Sequence, residues 1–254
     1  MNSTELLLLL IAALLSAPSA AEQGEEDIFA DPQNLQVLPK DINSSDLGDT
    51  MKGFSIGLGV RCETCHVGEP NTPLETFDFE SDEKAMKRKA RVMVEMVRDI
   101  NTRHVPGLNE VEEASRVQVR CVTCHRGRPQ PKLIEDLMDE QLAENGIDAA
   151  VAGYEKLREE YYGSHSYDFS EFTLPMYAQE LAGSGKTGAA IAFALTNTGN
   201  FPESYYSYFV LAELYNSTKQ KQAAIDNYNR AAELNPRAKP FLDARVAELD
   251  EEPE

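Results

Sequence analysis

The sequence predicts an all-α protein in two parts, a small helix-and-turn domain followed by a domain of α-helical hairpins. Three observations carry that reading. Apolar residues recur at three- and four-residue spacing through residues 46–58 and 82–103, the period of an amphipathic helix. Setting Pro202 against Pro236 exposes a 34-residue period near the end of the chain, the repeat length of a helix–turn–helix array. The pentapeptide Cys-x-x-Cys-His occurs twice, as Cys62–His66 and Cys121–His125, each following one of the predicted helices.

Met1–Ala21 has the form of a secretory signal. Leu6 to Leu15 is an apolar run of ten, and Ser19-Ala20-Ala21 offers a small-residue cleavage site. Its leading segment carries Glu5 and no Lys or Arg, a departure from the usual pattern. The run is shorter than the roughly 20 residues that span a bilayer. No later stretch is apolar enough to do so, and no cysteine near the cleavage site offers a lipid anchor. A soluble, exported, periplasmic protein is therefore expected.

Residues 22–34 are acidic and poor in apolar groups, which predicts a flexible leader with order beginning at Leu35. Leu35–Pro39 reads as an extended segment. Asp46 to Leu58 reads as a helix: Leu47, Met51, Phe54 and Leu58 share one face, Ser45 caps its start and Gly57 and Gly59 mark its end. After a loop punctuated by Pro70 and Pro73, a second helix is expected over Asp82–Arg103, capped by Ser81. Its apolar stripe is Met86, Ala90, Met93, Val97 and Ile100, and Pro106-Gly107 ends it. Pro129 and Pro131 close the unit.

The remainder resembles tetratricopeptide repeats. One unit has Tyr208, Leu211, Ala212, Tyr215, Ala224, Tyr228, Ala231 and Pro236 at the characteristic places; a weaker unit has Leu174, Tyr177, Ala178, Leu181, Ala190, Ala194 and Pro202. Asp148 to Tyr161 reads as one more helix, a candidate second half of a degenerate unit. Two units are fewer than the three or so that bury a continuous core. The array is thus expected to pack on the first domain or to pair with a second copy of the chain. The predicted boundaries are 35–132 for the first domain and 145–250 for the array. Gly183-Ser184-Gly185-Lys186-Thr187 imitates a phosphate-binding loop, but Glu180 stands where its first glycine is required and no strand precedes it. It reads as the turn between two repeat helices, with no nucleotide bound.

The pentapeptides carry the chemistry. Cys-x-x-Cys-His is the attachment signal of a c-type haem. Two thiols three positions apart can bond the two vinyl groups on one porphyrin edge, and the adjacent histidine can bind the iron. This predicts Cys62, Cys65, Cys121 and Cys124 as thioether positions and His66 and His125 as proximal ligands of two covalently attached haems. All four cysteines of the chain fall in these motifs. A four-cysteine zinc ribbon separates its pairs by about 15–20 residues, whereas 55 lie between Cys65 and Cys121. A thioredoxin-like pair would need a βαβ context. Haem attachment takes place outside the cytoplasm, in keeping with export. For the sixth ligands, His104 and His165 are the spare histidines, and Met51, Met86, Met93 and Met96 the thioethers at helical spacing. Methionines at such spacing are more often core filler, and the pattern alone does not choose among them.

The net charge of −19 is uneven. Residues 1–81 carry 3 basic and 14 acidic side chains, residues 82–132 carry 12 and 7, and residues 133–254 carry 9 and 22. The basic middle is either a solvated helix face or a docking patch for an acidic partner. The acidic balance argues against nucleic acid.

Leu35–Lys132 resembles half of the tetrahaem cytochrome subunit of purple-bacterial photosynthetic reaction centres. The matching stretches are Leu38-Pro39-Lys40, the Met51 helix leading into Gly59-Val60-Arg61-Cys62, Ser81-Asp82-Glu83-Lys84, the run Ala90–Asn101, and Cys121–Gly127. The resemblance implies units of helix, turn and Cys-x-x-Cys-His with a helix methionine as sixth ligand: Met51 for the first haem and Met93, rather than Met96, for the second. The family's histidine-ligated position falls near Gly107, which leaves His104 out. Two motifs stand where the family's subunit has four, and the repeat tail is foreign to it.

The expectation is an all-α exported dihaem cytochrome c domain followed by a tetratricopeptide-like α-hairpin domain. It would carry electrons by outer-sphere transfer between redox partner proteins, including a membrane electron-transfer complex, with the array docking a protein partner. The family implies re-reduction of a photo-oxidised primary donor; a non-photosynthetic respiratory or extracellular chain is an equal expectation. Two alternatives stay open. A dihaem peroxidase would need one displaceable sixth ligand and nearby acid–base groups, and neither motif has a clear distal set. A repeat-based adaptor would use the haems as a redox sensor.

Overall fold

The computed structural model describes residues 27–107 and 117–251; the expected signal segment lies outside them. The described residues are helical apart from turns, connecting segments and one isolated antiparallel bridge between Val67 and Asp78. The chain divides into two compact units. One runs through Lys52 and resumes over Arg61–Arg98; the other comprises Gly53–Val60 and the chain from Asp99 onward.

In the first unit, Asp27–Gln33 passes through turns, and the Phe29 ring lies against Gly48. Helix α1 is Ser44–Leu58. Its start is fixed by Asn43 rather than Ser45: the Asn43 Oδ1 accepts from the Asp46 N–H at 2.9 Å, and the Asn43 Nδ2 donates to the Asp46 carboxylate at 2.8 Å. The first bond satisfies one open N–H of the first turn, and the second holds the capping side chain in place. Helix α2 is the single turn Cys62–Cys65. The Asp78 N–H then donates to the Val67 carbonyl at 2.8 Å, and buried Phe77 fills the space beside Gly68 where a side chain would stand.

Helix α3, Ala85–Asp99, begins three residues later than the sequence pattern indicates. The carbonyls that would open an earlier first turn are used otherwise. That of Ser81 accepts from Lys87 Nζ, as do those of Phe79 and Glu80 before it, and those of Asp82 and Glu83 accept from Arg88. Cationic side chains thus replace a helical turn as hydrogen-bond donors.

In the second unit the last turn of α1 ends in a Schellman arrangement. Gly59 takes φ 64° and the Val60 N–H donates to the Ser55 carbonyl at 3.1 Å. The chain after Asp99 continues as a π-helical turn, Ile100–His104. There Asn101 clamps Val119, donating to its carbonyl at 2.7 Å and accepting from its N–H at 2.9 Å. That clamp aims the chain into helix α4, Cys121–His125.

The helical array follows as α5 (Ile134–Asn145), α6 (Ile147–Tyr161), α7 (Thr173–Gly183), α8 (Thr187–Asn200), α9 (Tyr205–Ser217), α10 (Lys221–Leu234) and α11 (Lys239–Glu251). Successive helices pair as hairpins, α5 with α6, α7 with α8 and α9 with α10, and α11 packs on α10. The array has one more hairpin than the two units read from the sequence, because Asp148–Tyr161 gains α5 as its partner. The three hairpins and α11 bury two adjoining clusters, with Phe209 and Tyr215 packed against both. Leu174, Tyr177, Ala178, Leu181, Ala190, Ala194, Leu211, Ala212, Ala224, Tyr228 and Ala231 are all buried, as their repeat positions require. Alanines at these places let helix backbones approach, while Tyr154, Phe193 and Tyr228 fill the space between them. The Gly183–Thr187 stretch is the α7–α8 turn, with Gly185 at φ 81° and Lys186 paired to Asp139 at 3.3 Å.

Candidate haem-binding sites

Each motif is a helical turn entered by an extended arginine, and the two turns then diverge. Arg61 (φ −102°, ψ 170°) and Arg120 (φ −127°, ψ 166°) deliver the first cysteine in the same way. In the first motif, the chain leaves His66 extended, at φ −112° and ψ 150°, and runs to the bridge with Asp78. In the second, Arg126 at φ 50° and Gly127 at φ 79° fold the chain back on itself. The Arg128 carbonyl consequently lies 2.9 Å from His125 Nδ1, and the Gly127 N–H donates to the Gly57 carbonyl at 3.0 Å. Gly59 borders this return so closely that a Cβ there would overlap the Gly127 carbonyl.

The two histidines therefore meet different surroundings. His125 is 8% exposed, and its Nδ1, shared with a carbonyl, must carry the proton. That tautomer leaves the Nε2 lone pair for a metal. His66 Nδ1 is closed to solvent and has no hydrogen-bond partner. The Phe79 ring meets the His66 imidazole edge-on at 4.9 Å and 69°. Burial first, then the charges of Lys87 and Arg91, pushes His66 down to about 4, so it is neutral and metal-competent at physiological pH.

The four thiols are free. Burial pushes Cys65 and Cys121 up from the ordinary thiol value, with Cys62 and Cys124 adding to the respective effects. A catalytic redox thiol requires the opposite shift. Among the described residues, no three Cys, His, Asp or Glu side chains gather as a metal cluster. Two separate pairs of unpaired thiols, each followed by a neutral imidazole, fit covalent haem attachment better than a zinc site or a disulfide oxidoreductase.

The second motif is anchored to the array. Arg128 bonds the Tyr161 hydroxyl, with its guanidinium 4.7 Å from the centre of that ring, and the Ser166 hydroxyl donates to the Arg126 carbonyl at 3.1 Å. Met51 is half-buried on α1. On α3 Met93 is half-buried, whereas Val92 and Met96 are 64% and 44% exposed. His104 sits exposed in the π turn, 3.9 Å from Asp99. Three contributors escape sequence reasoning: Lys87, which sits in a basic run that reads as solvated, Asn101, and the Arg128 carbonyl. Asn101 does close the Ala90–Asn101 run that carries the family resemblance, the one signal that could have drawn attention to it.

No helix among the described residues is long and apolar enough to cross a membrane. A cytochrome c-554 of Chloroflexus aurantiacus is 33% identical over 97 residues, which is 38% of this chain. The matched stretch is 20% of that relative's length. The family model of the photosynthetic reaction centre cytochrome c subunit matches residues 12–180, well over half of the chain and beyond the second motif into the helical array. With both motifs and their flanking helices inside that match, the chain belongs to the photosynthetic reaction centre cytochrome c subunit family.

Proposed function

We propose that this chain is an exported dihaem c-type cytochrome that carries electrons by outer-sphere transfer. The observation that carries the reading is the pair of free-thiol turns, each ending in an imidazole that is neutral or held as the Nδ1–H tautomer. Cys62 and Cys65, and likewise Cys121 and Cys124, would hold a haem by adding S–H across its two vinyl double bonds, with no net oxidation. His66 and His125 present Nε2, and Met51 and Met93 supply the sixth ligands. A c-type haem so held provides a one-electron ferric/ferrous couple. Full coordination by the chain excludes substrate and keeps the ligand geometry constant, which suits electron transfer and leaves no place for peroxidase chemistry.

The helical array is a tetratricopeptide-like domain that docks a partner protein, and the basic stretch of residues 82–132 meets an acidic redox partner. A periplasmic location follows from the signal segment and from haem attachment.

The test is a haem count per chain with near-infrared magnetic circular dichroism of the oxidised protein, for wild type, Met51→Ala and Met93→Ala. Two haems and two methionine–iron charge-transfer signals are expected, with one signal lost in each variant. A native high-spin haem would overturn the ligand assignment and bring the peroxidase reading forward.

A further inference from the structure

We propose that Lys87 makes the two haem sites electrically unequal, holding the His66 site at a higher reduction potential than the His125 site. This rests on the dihaem reading and adds an order of potentials to it.

Lys87 is unusual for a lysine in being 9% exposed. Its ammonium donates to the carbonyls of Phe79 at 2.8 Å, Glu80 at 3.2 Å and Ser81 at 2.8 Å, and lies 3.1 Å from the Asp82 carboxylate. Asp82 does not cancel the charge, because Arg91 also pairs with it at 2.8 Å and Asn34 donates to it at 3.0 Å. Two cations, their side chains 11% and 15% exposed, share one anion that is 36% exposed, and one positive charge is left over. The segment wrapped around this ammonium includes Phe79, whose ring is the group packed on the His66 imidazole. The excess charge is thus one residue removed from the proximal histidine.

A nearby cation disfavours the ferric state, which carries one more positive charge, and so raises the potential. The bonding of the imidazoles acts in the same direction. The Nδ1–H of His125 donates to the Arg128 carbonyl, which makes the imidazole a stronger donor to the metal and favours the ferric form. His66 Nδ1 has no acceptor and is closed to water, so its imidazole is the weaker donor. Arg128 adds no matching cation to that site: it presents its carbonyl dipole to the imidazole, and its guanidinium is engaged with Tyr161.

The experiment is a spectroelectrochemical titration of the haem-loaded protein, with a haem count on every sample. Wild type should give two resolved one-electron waves. Lys87→Gln keeps a hydrogen-bond donor for the carbonyls but removes the charge. It should lower the upper wave by roughly tenfold in the ferrous/ferric equilibrium constant, the effect of one charge about 10 Å away at an effective dielectric constant of about 20. That is 59 mV for a one-electron couple. The lower wave should stay in place, and Lys87→Arg should restore the upper one. If Lys87→Gln fails to fold, Arg91→Gln removes a charge from the same cluster while leaving the three carbonyls bound, and should also lower the upper wave. Equal waves in wild type, a shift of the lower wave, or identical potentials for Lys87→Gln and Lys87→Arg would overturn the proposal. A count below two haems in wild type would instead sink the dihaem reading beneath it.

Discussion

Replacing Gly59 by alanine should destabilise the protein, while the same change six residues earlier should stabilise it. Gly59 is held at φ 64°, a conformation that costs an L-residue roughly 1–2 kcal/mol. The new methyl would also overlap the Gly127 carbonyl, and relieving the overlap must displace the chain return that follows His125. The hydrogen bond from the Gly127 N–H to the Gly57 carbonyl, 3.0 Å long, lies in that return. Losing it adds about 0.5–1.5 kcal/mol. Together these predict a loss of about 2–3 kcal/mol. For a chain of this size that lowers the Tm by roughly 5–10 °C. Gly53, exposed in the interior of α1, has nothing within 4 Å of where a Cβ would stand. Alanine there restricts the unfolded chain and should add about 0.5–1 kcal/mol. Thermal unfolding followed by far-ultraviolet circular dichroism, with all three proteins equally haem-loaded, reads both signs at once. A Gly59→Ala Tm equal to wild type would refute the close-approach argument; a fall for Gly53→Ala matching that of Gly59→Ala would show that any change in α1 is harmful.

Two further expectations concern the array. Burial holds the Glu135 carboxyl above the usual carboxylate range, and Glu180, Asp136 and Asp168 push the same way. A carboxyl whose folded value is raised binds its proton more tightly when folded, so ionised Glu135 costs stability at neutral pH. The cost disappears below the unfolded value of about 4.3. Glu135→Gln should therefore raise stability at pH 7 by under about 1 kcal/mol after solvent screening, and by nothing near pH 4, in urea titrations at the two pH values. Arg245 on α11 reaches both oxygens of Glu213 on α9, at 3.1 and 3.2 Å, and the Tyr228 hydroxyl donates to the same carboxylate. Arg245→Met should cost about 1–2 kcal/mol. Because the two donors share one acceptor, Arg245→Met and Tyr228→Phe should combine non-additively in a double-mutant cycle; strict additivity would separate the two contacts.

The features that the sequence determined by itself are local in the chain. A Cys-x-x-Cys-His turn is complete within five residues, so spacing alone places its two thiols and imidazole on one turn. The α1 and α3 stripes read from a 3.6-residue period, and the repeat alanines from a 34-residue one, because each period reports which face is buried. Helix α5 escaped that reading. It follows the two prolines that close the first domain's pattern, and its buried residues, Ile134 and Met138, are too few to announce a stripe without the α6 surface that covers them.

Only the tertiary structure decided how two motifs with the same pentapeptide pattern come to differ. After His125 a left-handed arginine and a glycine turn the chain back and bring a carbonyl to the imidazole; after His66 the chain stays extended and brings none. Lys87, in a basic run, reads as one more solvated charge until the turn over residues 79–82 supplies three carbonyls and a carboxylate around its ammonium. Hydrogen-bond partners and buried charges depend on groups brought together by backbone direction. A linear pattern of residue types does not carry that direction, and for this protein it separates two sites that the pattern alone makes alike.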